Sequence, residues 1–163
     1  MTQDLHQTTE DFEQFITGFR SVILATSDAS GSPEASYAPF IRHEGIFYIF
    51  VSELAVHTRN LLANPQACLL FIEDEDKTAN IFARKRATIR AQASEISRSD
   101  SEASIILDLL EAAHGNTMQL LRGLSDFHLL ALTPSEASYT AGFGKAYRLS
   151  GNSLSQIEQV RKR

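Results

Sequence analysis

At residue 20 the chain changes hydrophobic period, and this change restricts its fold more than any other feature. Before that point Phe12, Phe15, Ile16 and Phe19 recur at i, i+3, i+4 and i+7, the single apolar stripe of a helix. Thr8 and Thr9 are its candidate caps, with Glu10 and Asp11 placed for the first turn. After it come strand-length apolar runs at 22–26, 34–41, 46–51 and 67–72. The first three are joined by the turn cluster 27–33 and by His43-Glu44-Gly45, links too short for a parallel crossover. The spacing predicts an antiparallel meander, with Pro39 marking a break or an edge in its second strand.

Residues 52–63 read as a short helix, capped by Ser52 and stopped before Asn64-Pro65. A long strand over 83–96 alternates through Ala87, Ile89, Ala91 and Ala93. The next helix, 100–113, turns Ile105, Ile106, Leu109 and Leu110 inward, with Ser99 and Glu102 as a capping box and Gly115 closing it. A short helix over 117–121, strands over 127–132 and 137–149, and a C-terminal helix opened by Ser153 and Gln156 complete the pattern. The fold class is mostly β with flanking helices, an α+β chain. It reads as one domain over 1–163: an N-terminal helix at 1–20, a barrel with inserted helices at 21–151, and a C-terminal helix at 152–163. A meander that buries one face and protects its edges does both by closing into a small barrel.

Composition narrows the function classes. With 43% apolar residues the chain can build a core, and no run reaches the roughly 18 apolar residues of a membrane span. The acidic, polar start MTQDLHQTTEDFEQF lacks the pattern of a secretory signal, so a cytoplasmic setting is expected. The net charge of −5 argues against nucleic acid as a partner. Cys68 is the only cysteine and sits in an apolar run, so it reads as a small core residue. Five scattered histidines form no metal cluster by spacing, and His114 fits the C-terminal dipole of its helix.

Against this acidic background some residues stand out. His57, Thr58 and Arg59 follow a strand and fall in the early turns of a helix, where free N–H groups and an Arg fork suit a phosphate or carboxylate. His57 reads equally well as a half-buried packing residue. Arg84, Lys85 and Arg86 are consecutive cations that an anion would relieve; the alternative is a solvated strand end paired with the acidic stretch 73–76. Asp126 and His128 are two apart, hence on one face if extended, and a carboxylate beside an imidazole suits a metal ligand.

Taken in order, Ser36-Tyr37-Ala38-Pro39-Phe40, the stretch from Ser52 through His57-Thr58-Arg59-Asn60-Leu61, and Asn64-Pro65 resemble the split barrels related to pyridoxamine 5'-phosphate oxidase. Phe82-Ala83-Arg84-Lys85-Arg86, Leu124-Ser125-Asp126-Phe127 and Gly142-Phe143-Gly144-Lys145-Ala146-Tyr147 resemble the haem-utilisation, HugZ-like branch. The resemblance spans about residues 21–151. It implies a six-stranded antiparallel split barrel, a homodimer, and a ligand at the subunit interface, with Tyr37, His57-Thr58-Arg59 and Arg84-Lys85-Arg86 as cofactor-binding residues. Flavin members hold FMN there. HugZ-like members bind haem, and some break it oxidatively.

In those haem members a histidine of the C-terminal tail is the axial ligand, and Asp126 matches its acidic partner, which makes Asp126 the candidate catalytic residue. The present sequence has no histidine after His128. Haem iron would then fall to His57 or His128. The expected function is a haem-binding and haem-degrading dimer; the alternatives are an FMN-dependent oxidoreductase and a non-catalytic ligand-binding barrel. Ten Phe, more than one small core needs, add to the expectation of a homodimer.

Overall fold

A computed structural model describes residues 2–160. Helix α1 (Thr2–Thr17) opens the chain, followed by β1 (Ser21–Ser27), β2 (Pro33–Pro39), β3 (Ile41–His43) and β4 (Ile46–Ser52). Then come α2 (Val56–Ala63), β5 (Gln66–Ile72), β6 (Arg86–Ile96), α3 (Ser101–His114) and α4 (Thr117–Arg122). Strands β7 (Phe127–Gly142), β8 (Lys145–Ser150) and β9 (Gln156–Gln159) finish it. All pairings are antiparallel, in the order β2-β1-β5-β6-β7-β4-β3, with β8 and β9 continuing beyond β7.

The two ends of that path, β2 and β3, are separated in the chain by Phe40 alone. The sheet therefore curls until its edges belong to one bent strand, broken after Pro39. Counting β2 and β3 as one, six strands make a split barrel, as the alternation of the sequence and its resemblance led us to expect. The three-strand meander is present with a bend: β2 pairs with β1, and β3, the end of the same strand past Pro39, pairs with β4, whose other neighbour is β7. A Pro at position 39 cannot supply a ladder N–H, so the ladder changes partner there.

The inward face is alternating and dry. Val22 and Leu24, Leu69 and Phe71, Ala87 and Ile89 are all buried. Phe40, Phe47 and Phe71 stack at centroid distances of 5.4–5.8 Å. Helix α1 plugs one end with Phe12 and Ile16, both 0% exposed, and Phe12 meets the edge of Tyr139 at 5.5 Å. A second core lies on the other side of β4 and β7, where Tyr48, Phe50 and Leu129 pack against Ala103, Ile106, Leu107 and Leu110 of α3 and Met118 of α4.

Several local expectations are corrected. Thr8 and Thr9 lie inside α1, and Thr9 Oγ1 donates to the Leu5 carbonyl (3.0 Å) rather than capping. α2 begins at Val56 with Ala55 as its uncapped N-cap, because the Ser52 hydroxyl accepts from Leu54 N–H and turns the chain earlier. Ser99 pairs with Ser97, and Glu102 reaches the Tyr48 hydroxyl, so no capping box forms on α3. On α3, Ile105 and Leu109 face outward, and Ala103 and Leu107 take their places.

β6 starts at Arg86 rather than 83, after a 3₁₀ turn at Ile81–Ala83. The strands read at 127–132 and 137–149 are one long β7 and a separate β8, with a bulge that leaves Ser135 unpaired in the ladder between Pro134↔Ala91 and Glu136↔Arg90, its hydroxyl donating to the Arg90 carbonyl (3.3 Å). The C-terminal helix is absent over 152–159: a 3₁₀ turn at Asn152–Leu154 leads into β9, whose Ile157 pairs with Leu149. The open edge of β8 offers a ladder, and in the register it sets Leu154 is buried and Ile157 packs against the barrel. Residues 161–163 of that expected helix lie outside the described residues. Among the described residues no helix is long and apolar enough to cross a membrane.

Candidate functional site

Between the barrel wall and the α3–α4 hairpin lies a cavity of about 480 Å³. Tyr37, Pro39, Phe50 and Val51 form its barrel side, with Ser52, Ala55 and His57 from the β4–α2 connection. Leu110, His114, Thr117, Met118 and Leu121 form the helical side, together with Phe127. Among the described residues no Lys or Arg lines it.

His57 is brought there by α2, which is pinned across β1: Asn60 Nδ2 donates to Thr26 Oγ1 (3.1 Å) and Asn64 Nδ2 to Ser27 Oγ (2.8 Å). The ring is 8% exposed, with Nδ1 2.9 Å from Ser36 Oγ and Nε2 without a partner among the described residues. Burial pushes its pKa below the usual imidazole value, and the Glu34 carboxylate offsets part of that. Thr58 is fully buried and its Oγ1 is also unpartnered. Buried polar atoms of this kind are uncommon and call for an explanation such as a ligand. Arg59 is exposed, outside the cavity lining, and donates to the carbonyls of Glu53 (2.8 Å) and Leu54 (3.1 Å).

Asp126 and His128 are not brought together. Asp126 lies just before β7, where its carboxylate accepts from Ser52 Oγ–H (2.5 Å) and its carbonyl from Glu53 N–H (2.9 Å). It thereby holds the Ser52 hydroxyl at the cavity wall. His128 sits instead between two carboxylates, Nδ1 2.5 Å from Glu95 and Nε2 2.6 Å from Glu53. The hydrogen bond to Glu95, then that to Glu53, raises its pKa against the opposing effect of burial. With both nitrogens occupied, the ring has no lone pair to offer a metal.

The cationic triplet lies elsewhere. Arg84 Nε donates to the Glu73 carbonyl (3.0 Å) and Nη1 to the Glu75 carboxylate (3.3 Å). Lys85 Nζ stands over the Phe15 and Tyr139 rings at 5.1 and 5.9 Å, and Arg86 donates to the Arg84 carbonyl (3.0 Å). Of the residues singled out from sequence, the cavity thus unites Tyr37 and His57, with Thr58 behind and Asp126 acting through Ser52.

Sequence reasoning missed His114. Its Nε2 is 2.9 Å from the Phe40 carbonyl, and it lines the cavity opposite the β4–α2 connection. A signal was present: Ala103, Leu107, Leu110 and His114 follow i, i+4, i+7 and i+11, which puts the imidazole on the buried stripe rather than merely at a helix end.

The family model of pyridoxamine 5'-phosphate oxidase matches residues 8–141. HutZ of Vibrio cholerae, named a heme oxygenase, is 36% identical over 144 residues, 88% of this chain and 82% of that protein. The crystal structure of HutZ, described as a heme storage protein, overlays with a TM-score of 0.77 at 33% identity, covering 82% of this chain and 94% of that one. ChuZ of Campylobacter jejuni overlays with a TM-score of 0.85 at 32% identity, over 95% of this chain and 63% of that one. A non-canonical chloroplastic heme oxygenase of Arabidopsis thaliana is 29% identical, and the chain spans 40% of its length. Sequence and fold agree, and the chain belongs to the pyridoxamine 5'-phosphate oxidase family, on the split-barrel branch that includes HutZ and ChuZ.

Proposed function

We propose that this chain binds haem in the cavity between the barrel and the α3–α4 hairpin, as a homodimer in the cytoplasm. The observation that carries the reading is the character of that cavity: about 480 Å³, walled by aromatic and aliphatic side chains, with two imidazoles and no cation among the described residues. A largely apolar ring fits such a lining, and a few placed polar groups orient it. The orphaned Nε2 of His57 and Oγ1 of Thr58 mark the same wall as built for something beyond the chain itself. The names of HutZ and of the Arabidopsis relative point the same way.

In this reading Phe50, Leu110, Met118 and Phe127 exclude water, and burial disfavours the charged form of His57. Asp126 holds the Ser52 hydroxyl in place at the rim. Haem, when bound, supplies the iron and any oxygen chemistry; the protein supplies position and dryness. The test is titration of the purified protein with hemin and, separately, with FMN. A saturable Soret band with no uptake of FMN supports the proposal. Purification with a tightly held flavin and indifference to hemin overturns it.

One feature favours FMN as a second reading. The N-terminus of α2 has no capping side chain, and Arg59 stands in its first turns, an arrangement suited to a phosphate. The same titration separates the two.

A further inference from the structure

Five histidines lie in the chain, and four of them present no accessible unpaired nitrogen at the cavity. His6 is exposed on α1 beside Glu10 (3.3 Å), and His43 ends β3 away from the cavity lining. Glu53 and Glu95 take both nitrogens of His128. His57 spends Nδ1 on Ser36, and its Nε2 is enclosed. His114 differs. A carbonyl oxygen only accepts, so the contact with Phe40 requires a proton on Nε2 and, in the neutral ring, puts the bare lone pair on Nδ1. Nδ1 has no protein partner among the described residues and is not one of the enclosed orphan atoms, while the residue lines the cavity. An imidazole that gives one N–H to a backbone carbonyl and keeps the other nitrogen bare is the usual arrangement of a metal-ligating histidine, because the carbonyl fixes the tautomer and raises the basicity of the free nitrogen.

We infer that His114, through Nδ1, is the protein nitrogen that ligates the metal of a metalloporphyrin bound in this cavity. The inference rests on the haem-binding reading above and deepens it. His114 is anchored for the task. It closes α3 immediately before Gly115, Leu110 one turn earlier lines the same cavity, and the Phe40 carbonyl that orients the ring belongs to the β2–β3 break. The ligand is thereby tied to the point where the barrel splits.

The experiment is hemin titration of the whole chain, read by Soret position and by electron paramagnetic resonance of the ferric form. Wild type should show nitrogen ligation, and His128→Gln, at a residue outside the cavity lining, should keep it. His114→Ala should lose that signature, weaken hemin binding about tenfold or more, and recover the signature when free imidazole is added. His114→Gln keeps a donor for the Phe40 carbonyl but has no imidazole, so it should lose the signature while unfolding at the wild-type urea midpoint. In the ligand-free protein, ¹⁵N nuclear magnetic resonance should find the Nε2–H tautomer in the neutral form of the His114 ring. Wild-type spectra in both His114 variants, or the Nδ1–H tautomer in that neutral form, overturn the assignment and leave the haem reading standing. Failure of wild type to bind hemin overturns both.

Discussion

His128 is where the fold holds a charge most deliberately. An imidazole can donate to Glu95 and Glu53 at once only when both nitrogens carry protons, so the native state favours the cation. Its folded pKa lies above the unfolded value of about 6.5. The stabilisation is therefore fully present below about pH 6.5 and is lost as pH rises through the raised folded pKa. We expect His128→Gln to cost most stability near pH 6 and progressively less toward pH 9, measured as the difference in urea-unfolding free energy from wild type. A difference that does not change with pH would show that no charge is held there. The sequence put Asp126 beside His128 on parity alone. Parity holds only within a strand, and Asp126 stands before β7 begins. The Arg84–Arg86 triplet was legible as a charge anomaly, but the carbonyls and rings that absorb it come from the 73–75 loop, α1 and β7, contacts that only tertiary structure creates. Arg84→Ala should accordingly leave hemin affinity within about twofold of wild type and instead loosen the 73–75 loop, visible as faster amide exchange there.

At the scale of elements, the α3–α4 hairpin decides whether a cavity exists. Gly115 breaks the two helices at φ 82°, ψ −162°, a region that residues with a Cβ scarcely enter. A Cβ there would meet nothing within 4 Å, so the cost of Gly115→Ala is conformational and not steric. We expect a loss of about 1–3 kcal/mol by urea unfolding, with hemin binding weakened because Thr117, Met118 and Leu121 no longer line the cavity at the same angle. Beyond the break, Arg122 bridges Asp108 (2.7 Å) and Glu111 (2.9 Å), and Arg98 donates to the carbonyls of Arg122 and Leu124, which fastens α4 to α3 and to the end of β6. Helices and strands were readable where one face is dry: the stripe of α1, the alternation of β1 and β6. The ends were less so. The Ser153–Gln156 spacing that imitates a capping box lies in a turn where Ser153 and Leu154 adopt φ of 52° and 62°, and pairing with β8 overrode the local signal.

For the whole molecule the question is what covers the outside of the barrel. Ten Phe in a chain of this size suggested a surplus for an interface, yet most are absorbed internally. Phe12, Phe15, Phe19, Phe40, Phe47 and Phe71 are linked ring to ring, some through Tyr139, and Phe50 lies on Phe127 at 5.1 Å; Phe82 and Phe143 are the exposed ones. The outer face of β1, β2 and β5 is apolar and suits a dimer contact. Ile23 is paired across the ladder with both Tyr37 and Leu70, and Ala25 with Ala35 and Cys68. Ile23 is 40% and Tyr37 67% exposed, and Val56 and Leu62 of α2 are exposed as well. A sheet face this apolar is not how an antiparallel strand normally meets water; the outer positions of β6 carry Arg90 and Gln92 instead. A specific interface buries at least roughly 1,000 Å², and a second copy is the partner we expect on this face. It would also stand next to Tyr37, which lines the cavity, so subunit and ligand contacts would share a residue. We expect wild type to sediment as a dimer at micromolar concentration. Ile23→Glu should sediment as a monomer with unchanged far-ultraviolet circular dichroism, since the new charge replaces an outward side chain and leaves the barrel interior intact. A wild-type monomer at tens of micromolar would mean that this apolar face meets something other than a copy of itself.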